Sequence, residues 1–510
     1  MVHIRVETTP RSKHVGEVKK VDGAQECQAQ VLRLLKRYAL FTETEIKLRI
    51  TPKTADSIKA SSLVHSRLVG CWQSSMILNQ YYDTAERDFA RAGVALRLRI
   101  DGNRYIQTFK HSGSGSGLAG LSVRKEWDWY LDSPELDTAL IESHSWPAGL
   151  RELDLSHIEP IFRTDFRRTR GLLRWALHGR TVEAEVAIDQ GSIATDAGFE
   201  PICELEIELR EGPETAVTAL ALELANTNSL MPCDLSKSDR GYRLLGFCSG
   251  IAHDDQEELW RASKISSVVL GLGRSILNDV VSLSEHFFSF RDHESFSKLH
   301  LKLIFLYSYF HLFDFVKFRI KQFRELSSLA GRLLGESSHL SQIANSEGFD
   351  SGLASRILSV FIEEHLWGQL LIGFGDWLFS YELECEVQEA GNESFIDEPL
   401  ESWLATEAKK TTSAIRLWHK KNTCKDGGGC AESELNPIYR LAFLVEYFDE
   451  CLGINKSHQN PDLKEFLLYE QVEAVPSYLS WKGSTVWPAI ERLEEQAEQY
   501  VQGSAKGSDS

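Results

Sequence analysis

Between positions 43 and 249 apolar and polar residues alternate with a period of two, in short runs broken by Gly, Pro and Asp. Residues two apart share a face of a strand, so the pattern predicts many short strands. From about 255 to 500 the apolar residues recur at three- and four-residue spacing instead, and helices are predicted. Two helices are expected to interrupt the strand region. One follows Gly212-Pro213, where Val217, Leu220 and Leu224 recur at helical spacing, and the other covers residues 136–141. Residues 1–42 read as a polar extension with a short helical pattern around Val31, Leu32, Leu34 and Leu35. Residues 389–398 read as an acidic loop and 503–510 as a disordered tail. The predicted class is therefore α+β, an antiparallel sheet domain followed by an all-α helical bundle.

The charged positions of the strands change this picture. In Glu43-Thr44-Glu45-Ile46-Lys47-Leu48-Arg49-Ile50 one face is Glu, Glu, Lys, Arg and the other is apolar but for Thr44. Arg97 and Arg99 share a face, as do Thr108 and Lys110, and Arg124, Glu126 and Asp128. So do Glu183, Glu185 and Asp189, and Glu204, Glu206 and Glu208. A solvated face explains one such strand. It does not explain six, two of them purely acidic and two purely basic. A sheet closed into an antiparallel barrel with the charged faces inward uses the whole set. Unpaired buried charge is costly, so such an interior needs contents. Grouped carboxylates suit a hard divalent cation, and arginines and lysines suit phosphate oxygens. The expected ligand is a compact polyphosphate carrying metal.

Charge and composition narrow the partners. The net charge of −18 is uneven: +4 over residues 1–42, −6 over 43–250 and −16 over 251–510. An acidic C-terminal half repels nucleic acid at distance, so any polyanion site is local and enclosed. The apolar stretch 299–316 is broken by His300, Lys302, His311 and Asp314, which predicts a buried helix and no membrane span. Nine scattered cysteines and a polar N-terminus predict reduced thiols in a cytoplasmic protein. Cys424 and Cys430, around a triple-glycine turn, lack the second half of a four-ligand metal site. The Gly-rich stretch 112–120 lacks the Gly-Lys-Ser/Thr ending of a P-loop and reads as a mobile hairpin connection.

In order, the motifs are Glu43-x-Glu45-x-Lys47, Tyr81-Tyr82-Asp83-Thr84, Leu96-Arg97-Leu98-Arg99, the strand ending in Lys110, and Arg124-Lys125-Glu126. Thr164-Asp165-Phe166-Arg167-Arg168, Ala187-Ile188-Asp189, Cys203-Glu204-Leu205-Glu206 and Ser236-Lys237-Ser238-Asp239-Arg240-Gly241-Tyr242 follow. This ordered set resembles the CYTH family, the triphosphate tunnel metalloenzymes, over about residues 41–247. Within that family it is most similar to bacterial inorganic triphosphatases that carry a C-terminal helical CHAD domain. The resemblance divides the chain into an extension (1–42), a catalytic barrel (43–249) and a diverged CHAD-like region (255–500) containing His293, His300 and His311. Two departures stand out. About forty residues precede a strand that the family usually places at the extreme N-terminus, and the helical half is acidic, with one basic run at Lys317, Arg319, Lys321 and Arg324.

The resemblance implies hydrolysis of inorganic triphosphate to diphosphate and phosphate with Mg2+ or Mn2+. Together with the charged faces it assigns Glu43, Glu45, Asp189, Glu204 and Glu206 to the metal, and Lys47, Arg97, Arg99, Lys110, Arg124, Arg168, Lys237 and Arg240 to the phosphates. Lys110, Glu126 and Glu185 are the catalytic candidates, the two glutamates as groups that orient the cations or add ligands. Arg49, Arg170, Glu183 and Glu208 share the inward parity. The rival expectations are a thiamine triphosphatase or adenylate cyclase of the same fold, or a polyphosphate-binding protein without catalysis.

Overall fold

The computed structural model describes residues 39–111, 118–142, 154–177, 179–247, 264–390, 400–422 and 436–448. The helical pattern near Val31, the Cys424–Cys430 turn, most of the 389–398 loop and the 503–510 tail lie outside them.

The strand region opens with β1 (Ala39–Arg49), α1 (Pro52–Ala60), α2 (Ser62–His65), β2 (Leu68–Asp83) and α3 (Asp88–Arg91). It continues with β3 (Val94–Asp101), β4 (Arg104–His111), β5 (Leu121–Leu131), α4 (Thr138–Glu142), β6 (Glu159–Leu177), β7 (Arg180–Thr195) and β8 (Gly198–Glu211). It ends with α5 (Thr215–Ala225), β9 (Met231–Pro232) and α6 (Lys237–Leu244). The two helices expected inside the strand region are α5 and α4. β1 begins at Ala39, four residues before Glu43. The strands run in the order β5-β4-β3-β2-β6-β7-β8-β1. β1 then pairs with β5, from Ala39↔Asp128 to Ile46↔Leu121, so the antiparallel ladder returns on itself as a barrel.

This barrel inverts the usual polarity, with its apolar faces outward. Ile46 and Leu48 of β1, Val186 and Ile188 of β7 and Leu205 and Ile207 of β8 form one buried cluster with Ile58 of α1 and Val217, Leu220 and Leu224 of α5. The helices are therefore the outer coat that the apolar parity requires. Asp83 fixes another corner. It accepts from the backbone N–H of Thr84, Phe89 and Ala90 and from the Tyr242 hydroxyl, so this part of the Tyr-Tyr-Asp-Thr motif is structural.

Of the stretch 112–120, residues 118–120 are described. Gly120 accepts from Lys47 N–H at 2.9 Å and donates to Asp234 Oδ1 at 2.7 Å. Its φ is +83°, and a Cβ there would lie 2.3 Å from the Lys47 carbonyl oxygen. Gly120→Ala is expected to destabilise the chain by more than about 2 kcal/mol, read as a lower denaturation midpoint.

The helical region contains α7 (Ile265–Phe290), α8 (His293–Leu312), α9 (Ile320–Glu347), α10 (Ser351–Leu358), α11 (His365–Ala390), α12 (Leu400–Asn422) and α13 (Asn436–Phe448). The stretch 299–316 is largely α8, and its apolar residues are largely buried, Phe315 being exposed. By length and composition α7 is apolar enough to cross a membrane, with half of that apolar window buried inside the protein. The two halves share a packed boundary. Ile372 of α11 joins the barrel's outer cluster, and Ala119 and Met231 join the core of the helices. Thr218 Oγ1 of α5 donates to Asp376 Oδ1 of α11 at 2.7 Å.

Candidate functional site

The inward faces surround a cavity of about 570 Å³ lined by nine basic and six acidic side chains. Strand parity explains most of the set. β1 brings Glu45 and Lys47, β3 brings Arg97 and Arg99, β4 brings Lys110, and β6 brings Arg168 and Arg170. β7 brings Glu185, β8 brings Glu206 and Glu208, and the first residue of α6 is Lys237. The cavity also takes Asp101 and Arg104 from the β3–β4 turn, Asp128 and Tyr130 from β5, and Arg210 from β8. Asp101, Tyr130 and Arg210 continue alternations visible in the sequence. Arg104 begins a strand after a turn and carries no such signal.

The strand register stacks these groups in rows. Glu185, Glu208 and Glu45 are direct neighbours across β7, β8 and β1, and Glu206 lies opposite Lys47 one step further along. Asp189, Glu204 and Arg49 form the next row. On the other wall Arg97 faces Thr108, and Thr108 Oγ1 donates to Asp128 Oδ1 at 2.7 Å. Arg99 Nε donates to Asn79 Oδ1 at 3.0 Å, and the buried Asn79 donates to Thr164, which fixes one guanidinium from behind.

At the deep end of the cavity the charges are paired. Asp189 and Glu204 are fully buried. The carboxylate oxygens of Asp189, Glu204 and Glu206 lie within 4.8 Å of one another. Lys237 Nζ stands among them, 2.8 Å from Asp189 Oδ2 and 2.9 Å from Glu206 Oε1, and it also pairs with Glu204. Arg168 grips Asp189 through Nε and Nη2, each at 2.7 Å, and touches Glu206 as well. A capping box of Ser236 and Asp239 starts α6 at this point, so the helix N-terminus and Lys237 both face the carboxylates. Burial alone would lower the Lys237 ammonium, but Asp189, Glu204 and Glu206 hold it well above its usual value and therefore charged. Burial would raise Glu206, but Lys237 and Arg168 hold it well below the usual carboxylate range.

Arg240 departs from its expected role. It does not line the cavity. Its guanidinium is committed to Glu200 at 2.7 Å, Glu204 at 3.0 Å and the Pro201 carbonyl, so it is a buried brace behind Glu204. Asp189 and Glu204 also stand behind the cavity wall, where Lys237, Arg168 and Arg240 neutralise them. Glu183 pairs with Arg174 at the outer surface. The side chains of Glu43, Arg124 and Glu126 lie outside the described ones, although the register places Glu43 opposite Arg124 and Glu126 opposite Lys110.

Among the described residues, Asp189, Glu204 and Glu206 are the carboxylates close enough to share a hard divalent cation. Glu45, Glu206 and Glu208 offer carboxylate oxygens from adjacent strands, and Glu45 lies directly opposite Glu208. Like charges opposed across a ladder are unfavourable, and a cation between them relieves the repulsion. In the deep cluster a lysine ammonium already stands among the carboxylates.

The histidines of α8 do not converge on a site. His300 Nδ1 is 2.9 Å from Ser337 Oγ, and burial lowers this imidazole to about 4, which keeps it neutral. His293 stacks on Phe349 and His311 packs edge-on to Tyr307.

The CYTH domain family matches residues 42–242. An inorganic triphosphatase of Haemophilus influenzae is 27% identical over 291 residues, which is 54% of this chain and 77% of that protein. Among solved structures, a putative adenylyl cyclase from Hippeastrum, described as having a dominant triphosphatase activity, is 18% identical. The match covers 39% of this chain and 95% of that one, with a TM-score of 0.28. A putative adenylate cyclase from Bacillus halodurans is 19% identical over 39% of this chain and 95% of its own, with a TM-score of 0.26. Residues 42–242, with their motifs in order and their charged faces turned inward, match the CYTH domain family.

Proposed function

We propose that the chain hydrolyses inorganic triphosphate to diphosphate and phosphate with Mg2+ or Mn2+. The observation that carries the reading is the cavity itself, in which cations on β1, β3, β4, β6 and α6 face carboxylates on β7, β8 and β1. A linear triphosphate is a short rod of negative charge, and such a wall can hold each phosphate from more than one side. The similarity to the Haemophilus influenzae triphosphatase supports the choice of substrate.

Lys47, Arg97, Arg99, Lys110, Arg168 and Arg170 would bind the phosphate oxygens and keep the chain extended. Glu45, Glu206 and Glu208 would hold the metal. When bound, the metal supplies charge neutralisation on the phosphates and lowers the pKa of a coordinated water. Lys237, locked by Asp189 and Glu204, would face the phosphate where negative charge grows during transfer. Asp189, Glu204 and Arg240 do not move in this account; they fix Lys237 and Arg168. Phosphoryl transfer needs in-line placement and fixed charges, and groups already held by buried partners need no reorganisation when the reaction occurs. Glu185 lies 3.3 Å from Arg210, so its part is to orient that guanidinium.

The test is a substrate panel under one set of conditions: inorganic triphosphate, ATP and thiamine triphosphate, each with magnesium. Inorganic triphosphate is expected to show the highest kcat/KM. Faster turnover of ATP or thiamine triphosphate overturns the choice of substrate.

A further inference from the structure

Beneath the deep end of the barrel the end of α7, outside the residues matched to the CYTH family, touches the charged network. Glu285 of α7 is 2% exposed. It lies within reach of the Cys233 thiol and the Leu235 backbone after β9, and in the field of Arg49 of β1 and Asp234. Phe288, one turn on, carries the Arg49 guanidinium over its ring at 4.7 Å. Ser289 accepts from Arg243 of α6 at 3.1 Å. Arg49 and Arg243 each bond to Glu200 at 2.9 Å. Glu200 also holds Arg240, Arg240 holds Glu204, and Glu204 holds Lys237. Through the Phe288 ring and Ser289, α7 thus touches a chain of ion pairs that runs from Arg49 and Arg243 to the lysine at the cavity floor.

We infer that Glu285 is a positioning residue for the reaction, acting from the helical half through Arg49 and Glu200 on Arg240, Glu204 and Lys237. The inference rests on the hydrolytic reading above. The physical reason is charge balance. Arg49, Arg240 and Arg243 converge on Glu200, and Arg240 and Lys237 share Glu204. Among the described side chains, Arg49 Nε and Glu285 Oε1 are both buried without a hydrogen-bond partner. An ionised Glu285 gives Arg49 a second anion and leaves Glu200 to Arg240 and Arg243. A neutral Glu285 leaves Arg49 drawing on Glu200 alone.

Burial raises Glu285 to about 7; Asp234 adds to the rise, while Arg49, the Cys233 thiol and the Leu235 N–H oppose it. A carboxyl raised in the folded state contributes stability that is complete below its ordinary value of 4.5 and is lost as pH rises through about 7. The ionised form therefore weakens the fold while it steadies the network, and the two effects separate in Glu285→Gln.

The experiment compares the full-length protein with Glu285→Gln from pH 6 to pH 8.5, reading kcat for triphosphate and the melting midpoint. At pH 6 the two are expected to have similar kcat. At pH 8.5 the variant is expected to be slower by about tenfold, with KM little changed, yet to melt a few degrees higher. A kcat ratio independent of pH, or a variant as fast as wild type at pH 8.5, overturns the inference. A wild-type protein inactive on triphosphate overturns the hydrolytic reading and, with it, this one.

Discussion

Lys237→Ala is expected to lose about a thousandfold in turnover and to lose stability as well. In the folded chain Lys237 is the cation common to Asp189, Glu204 and Glu206. Removing it leaves two guanidiniums, Arg168 and Arg240, against three carboxylates, two of them fully buried. Breaking one partner out of a buried pair costs about 3–5 kcal/mol, because the remaining charge stays desolvated. The variant can recover part of this by protonating a carboxylate. Its stability relative to wild type is therefore expected to improve as pH falls from 8 to 6, the opposite of ordinary acid destabilisation. Denaturant midpoints at the two pH values check the stability arm, and initial rates check the catalytic one. A variant with wild-type turnover would remove Lys237 from the machinery.

Glu45→Gln should separate the two arms. Glu45 lies opposite Glu208 across β1 and β8 and pairs with Lys47 at 3.7 Å, so deleting its charge removes one repulsion and one attraction and should leave the melting midpoint little changed. Turnover is nevertheless expected to fall by about a hundredfold or more, with part of it recovered at higher magnesium. The dependence of rate on metal concentration is the measurement. A rate loss that no metal concentration touches would move Glu45 from the metal to the phosphates. Full activity at low metal would remove it from both.

The contrast between these variants shows what the sequence could and could not carry. Period-two parity placed Glu45, Lys47, Arg97, Arg99, Lys110, Arg168, Glu185 and Glu206 on one continuous inner wall, because parity depends only on strand geometry. Parity does not say how deep a residue lies. Asp189 and Glu204 share the inward face with Glu206, but they lie further along the strands, where α6 covers them. The sequence groups them with the metal; they do lie close enough to Glu206 to share a cation, and the packing also couples them to Lys237, Arg168 and Arg240. Arg240 leaves the cavity wall for a related reason. It stands three residues after Lys237 on α6, and the two meet Glu204 from different sides.

Glu200 and Glu285 carried no signal at all. Each acquires meaning only through partners far along the chain: Arg49 is 151 positions from Glu200 and meets Phe288 across the boundary between the halves. The boundary itself was legible only as a change of period near residue 250. Its tight packing, with Thr218 bonded to Asp376 and Ile372 seated among barrel residues, depends on contacts that no local pattern encodes. A helical half joined in this way is part of the barrel's outer coat and of its floor.

The central claim is that the charged interior splits inorganic triphosphate in a metal-dependent reaction. Phosphorus NMR of the full-length chain with inorganic triphosphate, in magnesium and then in excess chelator, tests it most directly. The account predicts diphosphate and phosphate appearing in equal amounts with magnesium and no conversion in chelator. Triphosphate that stays intact in magnesium while bound to the protein, or that is split equally fast in chelator, would contradict it.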